Sequence, residues 1–186
     1  MQFTKTCTVF LLVILLSSCM PVMKMIYGLH DPRYQSDEEV VKYYNRLGLQ
    51  DEIYRVKDYT EENRKEFRYL GSAMPEMLVF NSKGQLTKFE LSCSGRLDSI
   101  AGLSPHDIDN MPIAGNSLQD FIDDTYVIND LNKDDAVVLN QPLYVVKFAE
   151  YAGLLNKQSV PGLVDRLSNR TDVRYILLNM DYTVKE

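Results

Sequence analysis

Cys93 has the side chain best suited to covalent chemistry in this sequence. A thiol becomes a nucleophile when a cation or a helix N-terminus lowers its pKa, and Arg96 lies three residues further on. Cys93 also continues the alternation of Phe89 and Leu91 along a predicted strand, which would point its sulfur into the core. Burial among apolar side chains raises a thiol pKa and removes the reactive thiolate. We therefore favour a structural role for Cys93, with a peroxidatic role or an intermolecular partner as the alternatives.

A short acidic segment has the spacing of a calcium-binding loop. Asp130, Asn132 and Asp134 match the first three ligand positions, where Ca²⁺ takes hard oxygen atoms. The sixth position of such a loop is glycine, but here it is Asp135, and the twelfth is a bidentate glutamate, but here it is Gln141. These departures favour a solvated acidic turn, and we predict no bound metal.

Sulfur and imidazole groups are scarce in this chain. The three cysteines are Cys7, Cys19 and Cys93, and no two of them form a Cys-x-x-Cys motif. The only histidines are His30 and His106, which are too few to build a structural zinc site. The sequence therefore predicts no cofactor and excludes dithiol exchange within the chain.

The amino-terminal residues have the pattern of an export signal. Lys5 gives a positive start, Val9–Leu16 is an apolar run, and Leu16-Ser17-Ser18-Cys19 places small residues before a cysteine. This pattern resembles the lipobox of bacterial lipoproteins, which implies cleavage before Cys19 and acylation of that cysteine. Eight apolar residues are too few to span a bilayer, which takes roughly 20. The alternatives are an uncleaved anchor and an ordinary signal in which the cysteine is fortuitous.

The resemblance divides the chain into a signal peptide over residues 1–18 and a mature domain over residues 19–186. It implies a cell-envelope protein held in the membrane by acyl chains, and the periplasmic face is favoured because residues 20–24 contain no acidic cluster. The formal net charge is −6, and removal of Lys5 with the signal makes it −7. An acidic surface argues against nucleic-acid binding. The remaining partner is predicted to be a protein or a small molecule.

The first half of the chain contains clear signals for alternating strands and helices. Ser36 and Glu39 form a capping box for a helix that stops at Gly48, and Asn81–Gly84 is typical of a hairpin turn. The predicted elements are a strand over Met25–Tyr27, a helix after Ser36, a strand over Glu52–Val56, a helix over Glu61–Leu70, a strand over Pro75–Phe80 and a return strand that reaches Leu91.

The second half of the chain is regular only towards its end. Prolines and glycines interrupt residues 92–141, where only Ser117–Asp123 is predicted to be a short helix. Strands are predicted over Leu143–Ala149 and Val173–Met180, with a helix over Lys157–Leu167 between them. This spacing predicts a βαβ unit with parallel strands.

Two parts of the chain resemble the thioredoxin superfamily. Residues 24–91 have its order of elements, with Met74-Pro75 at the place of the cis-proline and a hairpin after it. Residues 142–181 resemble the half that carries the redox motif, and Tyr151 stands where an aromatic residue precedes the first cysteine. Ala152 and Leu155 occupy the two cysteine positions, and neither can form a thiolate.

The resemblance to the thioredoxin superfamily implies Pro75, Tyr151 and Gly153 as candidate binding residues. The resemblance to the lipobox implies Cys19 as the site of lipid attachment. The whole chain resembles thioredoxin-like lipoproteins of Bacteroidetes. We therefore predict an α/β fold with a mixed sheet flanked by helices and a C-terminal βαβ unit. The predicted function is a non-catalytic binding or scaffold module. The alternative is a single-cysteine thiol peroxidase or reductase that acts through Cys93.

Overall fold

The structure, a computed structural model, describes residues 24–70, 77–88, 97–129 and 140–184. Its strands are β1 (Tyr34–Gln35), β2 (Ile53–Val56), β3 (Met77–Phe80), β4 (Gln85–Thr87), β5 (Ile113–Ser117), β6 (Thr125–Val127), β7 (Leu143–Phe148), β8 (Arg174–Asn179) and β9 (Tyr182–Thr183). Its helices are α1 (Asp37–Arg46), α2 (Leu97–Ala101), α3 (Pro105–Asp109), α4 (Leu118–Asp124) and α5 (Leu154–Ser168), with 3₁₀ turns at Arg68–Leu70 and Glu150–Ala152.

The main sheet is mixed and has seven strands in the order β5-β4-β3-β7-β8-β2-β6. β7 is parallel to β8, and β8 is parallel to β2, whereas the other neighbours are antiparallel. Helices pack on both faces of this sheet. The protein therefore has the predicted thioredoxin-like α/β fold, including its C-terminal βαβ unit.

The two parts that resemble the superfamily contribute to the same sheet. The βαβ unit β7-α5-β8 follows the hairpin β3-β4 in the chain, but in the sheet β7 and β8 lie between β3 and β2. Met77 pairs with Val146, and Val145 pairs with Ile176, so β3, β7 and β8 are interior strands as predicted. Since β2, β7 and β8 are parallel, their carboxyl ends lie at one edge of the sheet.

Alternating side chains on β7 reach two separate apolar layers. Tyr144, Val146 and Phe148 join the layer that includes residues of α1, α2, α3 and α5. Leu143 and Val145 join the opposite layer, which includes residues of α4 and of the segment 59–70. Because both faces of the sheet are covered, every residue of β7 is buried.

Lys147 is the one charged residue of β7, and it is fully buried. Its ammonium group donates a hydrogen bond to the Leu70 carbonyl oxygen at 2.5 Å. A buried ammonium requires hydrogen-bond acceptors, and this contact ties the central strand to the end of the segment 59–70.

The capping box at the start of α1 is confirmed. The Ser36 hydroxyl accepts from the Glu39 amide at 3.3 Å, and the Glu39 carboxylate accepts from the Ser36 amide at 2.9 Å. The predicted helix over Lys157–Leu167 is also present, although α5 begins earlier, at Leu154.

The predicted strand over Met25–Tyr27 is wrong. Residues 24–27 form a helical turn, and the Leu29 amide donates to the Lys24 carbonyl oxygen at 2.9 Å. Met25 and Ile26 are exposed. A short apolar run becomes a strand only where a neighbouring strand accepts its hydrogen bonds, and local hydrogen bonds satisfy this segment instead.

The predicted helix over Glu61–Leu70 is also wrong, because turns fill residues 61–67 and only a 3₁₀ turn follows. The hydrogen bonds of the Asn63 side chain explain why turns replace the predicted helix. Its side chain accepts from the Thr60 amide at 2.8 Å and donates to the Asp58 carbonyl oxygen at 2.8 Å. Such local side-chain bonds compete with helical hydrogen bonds.

The segment 92–141 contains more regular structure than the sequence indicates. Ser104 caps α3, and Pro105 occupies its first turn, where proline is favourable. Ser117 caps α4, which confirms the short helix predicted there. The prolines and glycines of this segment therefore lie at the ends of short helices and strands. Because these residues are frequent here, the sequence alone makes the segment look irregular.

Candidate functional site

The candidate site lies at the edge of the sheet where the parallel strands β2, β7 and β8 end. Crevices beyond the carboxyl ends of parallel strands are the usual ligand sites of open α/β sheets. Here β7 leads into the 3₁₀ turn Glu150–Ala152 and then into α5, while β8 leads into Met180 and Asp181.

The loop after β7 is the one that resembles the redox loop of the superfamily. Ala152 is buried, Leu155 is partly buried, and Tyr151 packs on the apolar layer that contains Tyr59 and Tyr182. Burial raises the pKa of the Tyr151 hydroxyl above its ordinary value. Two aliphatic side chains, Ala152 and Leu155, therefore stand at the positions that correspond to the two redox cysteines.

Gly153 fits this loop because of both its conformation and its surroundings. Its φ of 55° and ψ of −125° belong to a region that glycine adopts readily and other residues avoid. A β-carbon there would lie 2.3 Å from the Tyr27 carbonyl oxygen and 2.5 Å from that of Gly28. The His30 amide also donates to the Tyr151 carbonyl oxygen at 3.1 Å. The segment 24–30 is therefore packed directly against the loop.

Asp181 forms the buried end of a polar network at the same edge. One of its carboxylate oxygens accepts from the Glu150 amide and from the Asn179 side chain, each at 2.8 Å. Burial raises the pKa of the Asp181 carboxyl, hydrogen bonds from the Glu150 amide, the Asn179 side chain and the Tyr151 backbone oppose the increase, and the nearby negative charge of Glu150 adds to it. The other oxygen, Oδ1, is buried without a hydrogen-bond partner.

The Glu150 carboxylate links the loop to β1 and to α1. It accepts a hydrogen bond from the Gln35 amide nitrogen, and it forms an ion pair of 3.3 Å with Arg46. Arg46 also lies over the ring of Tyr43, 5.5 Å from its centroid. Two elements that are adjacent in the chain, β1 and α1, therefore meet a distant loop at one carboxylate.

Four buried oxygens around this network have no hydrogen-bond partner among the described residues. They belong to Gln35 (Oε1), Tyr43 (Oη), Asn156 (Oδ1) and Asp181 (Oδ1). The Asn156 amide nitrogen donates to the Ala149 carbonyl oxygen, and the Asn156 side chain is within hydrogen-bonding reach of the Tyr43 hydroxyl. Burial raises the pKa of that hydroxyl. Because buried polar groups are almost always paired, this concentration of unpaired oxygens is unusual.

A pocket of about 640 Å³ opens beside the network, between α1 and the start of α5. We call it the α5 pocket. Its lining includes His30, Tyr43, Arg46, Glu150, Gly153 and Lys157. Two permanent cations thus face one carboxylate, and the volume lies within the range of small-molecule sites, about 300–1,000 Å³.

A larger groove of about 1100 Å³ lies on the other side of Gln35. Its lining includes Arg55, whose positive charge is paired with the carboxylate of Asp37. The guanidinium of Arg55 is buried and donates to Asp37 at 2.6 Å and to the carbonyl oxygens of Gln35 and Tyr182 at 3.1 Å. Asp37 also accepts from the Tyr126 hydroxyl at 3.0 Å. β1 and β9 pair in parallel as a separate two-stranded sheet, and these bonds hold that pair against β2, so we assign Arg55 a structural role.

The sequence-predicted site residues have different outcomes. Gly153 lines the α5 pocket, whereas Tyr151 packs on the apolar layer on the other side of the loop. Six predicted residues lie outside the described ranges: Cys19, Pro75, Cys93, Asp130, Asn132 and Asp134. Within the described ranges, no three His, Cys, Asp or Glu side chains come together as a metal-binding group.

Sequence reasoning missed most of the residues that form the network. Asp181 carried a usable signal, since a carboxylate directly after an apolar parallel strand lies at the edge where ligands bind. Tyr43 and Arg46 carried none, because they lie on the first helix and more than 100 residues before the loop that they meet.

A scan against protein-family models, a search of curated proteins and a search of solved structures each return no match for this chain. No helix in the described residues combines the length and the apolar character that crossing a membrane requires. Function is therefore inferred from the site and from the sequence.

Proposed function

We propose that this protein is a lipid-anchored envelope protein whose thioredoxin-like domain binds a ligand or partner and does not catalyse thiol chemistry. The observation that carries this proposal is the loop after β7. Buried Ala152 and partly buried Leu155 stand where the redox cysteines would stand, and a polar pocket opens beside them. Thiol–disulfide exchange needs a thiolate as the attacking group, which neither side chain can supply.

The anchoring half of the proposal is supported by the sequence pattern Leu16-Ser17-Ser18-Cys19 after an apolar run. The described chain begins only five residues after Cys19. Five residues span at most about 18 Å when fully extended. An acylated Cys19 would thus hold the domain close to the membrane surface, on the periplasmic side.

The test is a pair of activity assays on the purified full chain. Reduction of insulin by dithiothreitol is expected to run at the uncatalysed rate, and added hydrogen peroxide is expected to decay at the buffer rate. The matched control is the Cys93→Ser variant, which removes the one thiol of the mature chain besides Cys19. Robust turnover that this substitution abolishes would overturn the proposal in favour of a single-cysteine peroxidase or reductase.

A further inference from the structure

We propose that Met25, Ile26 and Leu154 form the surface through which the domain rests on the lipid bilayer. We call these three exposed side chains the apolar patch. The inference rests on the proposed lipid anchor and adds which face of the domain meets the membrane. It follows from three observations: the exposure of the patch, its short distance along the chain from Cys19, and the charges beside it.

The apolar patch holds a large share of the exposed hydrophobic side chains. Met25 is 81% exposed, Ile26 is 54% exposed and Leu154 is 41% exposed. Within the described ranges, seven large hydrophobic side chains are exposed, and these are three of them. Exposed hydrophobic residues that are scattered singly need no explanation, whereas those that lie together mark a surface that another body covers.

The patch is built from two segments of the chain that are in direct contact. Residues 24–27 form a helical turn, and Leu154 is the first residue of α5. The two backbones approach so closely that a β-carbon on Gly153 would lie 2.3 Å from the Tyr27 carbonyl oxygen. The three apolar side chains therefore belong to one part of the surface, although 127 residues separate Tyr27 from Leu154 in the chain.

The position of the patch in the chain selects the membrane as its occupant. Met25 is only six residues after Cys19, the proposed site of acylation. Six residues span at most about 22 Å when fully extended. A domain of the length of residues 19–186 has a radius of gyration of about 15 Å and is therefore about 40 Å across. With the acyl chains inserted, the tether is too short for the opposite face of the domain to reach the bilayer.

The charges beside the patch also favour this contact. The chain has a formal net charge of −6, which would oppose contact with an anionic membrane. Next to the patch the balance is different, because Arg46 and Lys157 line the α5 pocket together with Leu154. Glu150 is the one carboxylate among the residues that line it. Apolar side chains with cations beside them are typical of segments that lie in the membrane interface.

The test exploits the absence of tryptophan from the sequence, since a single introduced tryptophan then reports only on its own surroundings. Ile26→Trp and Leu154→Trp place the probe in the apolar patch. Ile113→Trp is the matched control, because Ile113 is 42% exposed on β5, which two strands separate from β7. The full chain is produced in bacterial cells, its acylation is checked by mass spectrometry, and it is reconstituted into phosphatidylcholine vesicles with or without brominated acyl chains.

Both patch variants of the acylated chain are expected to show blue-shifted emission and to lose emission to the brominated lipid, whereas Ile113→Trp should do neither. Leu154→Glu in the Ile26→Trp chain is expected to reduce the quenching, because a charged group resists transfer to apolar surroundings. Ile122→Glu is the control for that change. It alters a side chain of similar exposure, 38%, on α4, and should leave the quenching unchanged.

The docking surface is overturned if the acylated chain floats with the vesicles but Ile26→Trp is quenched no more than Ile113→Trp. Blue-shifted emission without quenching would also overturn it, because protein and not lipid would then cover the patch. That protein would be a second copy if the shift depends on the protein density in the vesicles, and otherwise another part of the same chain. A chain that carries no acyl group and does not float would instead remove the proposed anchor, and the docking surface with it.

Discussion

Asp181 shows how a single buried carboxyl links the stability of this fold to pH. It is only 1% exposed, and its Oδ1 atom has no hydrogen-bond partner. Burial disfavours the ionised form and raises the pKa of this group in the folded state above the ordinary value of 3.8. Between the pKa of Asp181 in the unfolded state and its raised pKa in the folded state, the folded state binds more protons than the unfolded state. Ionisation of Asp181 therefore destabilises the fold.

We therefore expect the contribution of Asp181 to stability to be greatest below about pH 4 and to fall as the pH rises through its folded pKa. Asp181→Asn removes this titration and keeps an oxygen that can accept from the Glu150 amide. Urea unfolding of both proteins between pH 4 and 8 provides the measurement. The free energy of unfolding of the variant, relative to that of the wild type, should increase as the pH rises. A difference between the two proteins that stays constant with pH would contradict the raised pKa of Asp181.

Gly153 provides a second test at the scale of one residue. A β-carbon at this position would meet the Tyr27 carbonyl oxygen at 2.3 Å, and the backbone conformation is itself unfavourable for alanine. Gly153→Ala should therefore lower the free energy of unfolding by about 1–3 kcal/mol. Gly162→Ala is the matched control, because a β-carbon there meets nothing within 4 Å and the helix interior favours alanine by up to about 1 kcal/mol. Equal effects of the two substitutions in urea melts would show that the loop tolerates a side chain.

At the scale of elements, β8 is the strand on which burial can be tested most directly. Ile176 is 7% exposed and pairs with Val145 at the centre of the sheet. Ile176→Ala should lower the free energy of unfolding by about 2–5 kcal/mol, through lost burial and a residual cavity. Ile113→Ala on the edge strand β5 makes the same change at a side chain that is 42% exposed, and should cost less than about 1 kcal/mol. A small effect at Ile176 would show that β8 is not part of the core.

The elements that could be predicted from the sequence are those whose hydrophobic pattern is long or whose caps are explicit. The apolar runs over Leu143–Ala149 and Val173–Met180 became interior strands, and the capping box at Ser36 began a helix. The three-residue run Met25–Tyr27 carries too little pattern to separate a strand from a helical turn. The helix predicted over residues 61–70 was wrong for another reason. The Asn63 side chain hydrogen-bonds the Thr60 amide and the Asp58 carbonyl oxygen, and the composition of the segment does not indicate these bonds.

The candidate site was less predictable than the elements that hold it. The loop around Gly153 could be located, because it follows an apolar strand and precedes a helix. The pairing of Glu150 with Gln35 and Arg46 could not, since it depends on how β1 and α1 pack against that loop. Contacts between distant segments follow from tertiary packing, which one sequence without its three-dimensional arrangement does not specify.

At the scale of the whole molecule, the α5 pocket lies beside the segment of the chain that follows the proposed anchor. The segment 24–30 starts five residues after Cys19, packs on the loop after β7, and contributes Gly28 and His30 to the α5 pocket. An acyl anchor would therefore hold the pocket near the bilayer, although the acidic protein as a whole would not be drawn to anionic lipid. In the proposed lipoprotein, attachment to the membrane would come from the acyl chains, each worth about 0.8 kcal/mol per buried methylene.

This dependence on acyl chains can be tested at Cys19. Cys19→Ala should abolish incorporation of labelled palmitate in bacterial cells, leave the precursor uncleaved, and prevent recovery of a labelled protein in the detergent phase of a Triton X-114 partition. The matched control is Cys93→Ala, the same substitution at the other cysteine of the mature chain, which should be processed and labelled like the wild type. If the Cys19→Ala protein is still labelled and cleaved normally, the lipoprotein hypothesis is wrong. The eight-residue apolar run, too short to span a bilayer, would then be the core of an ordinary export signal.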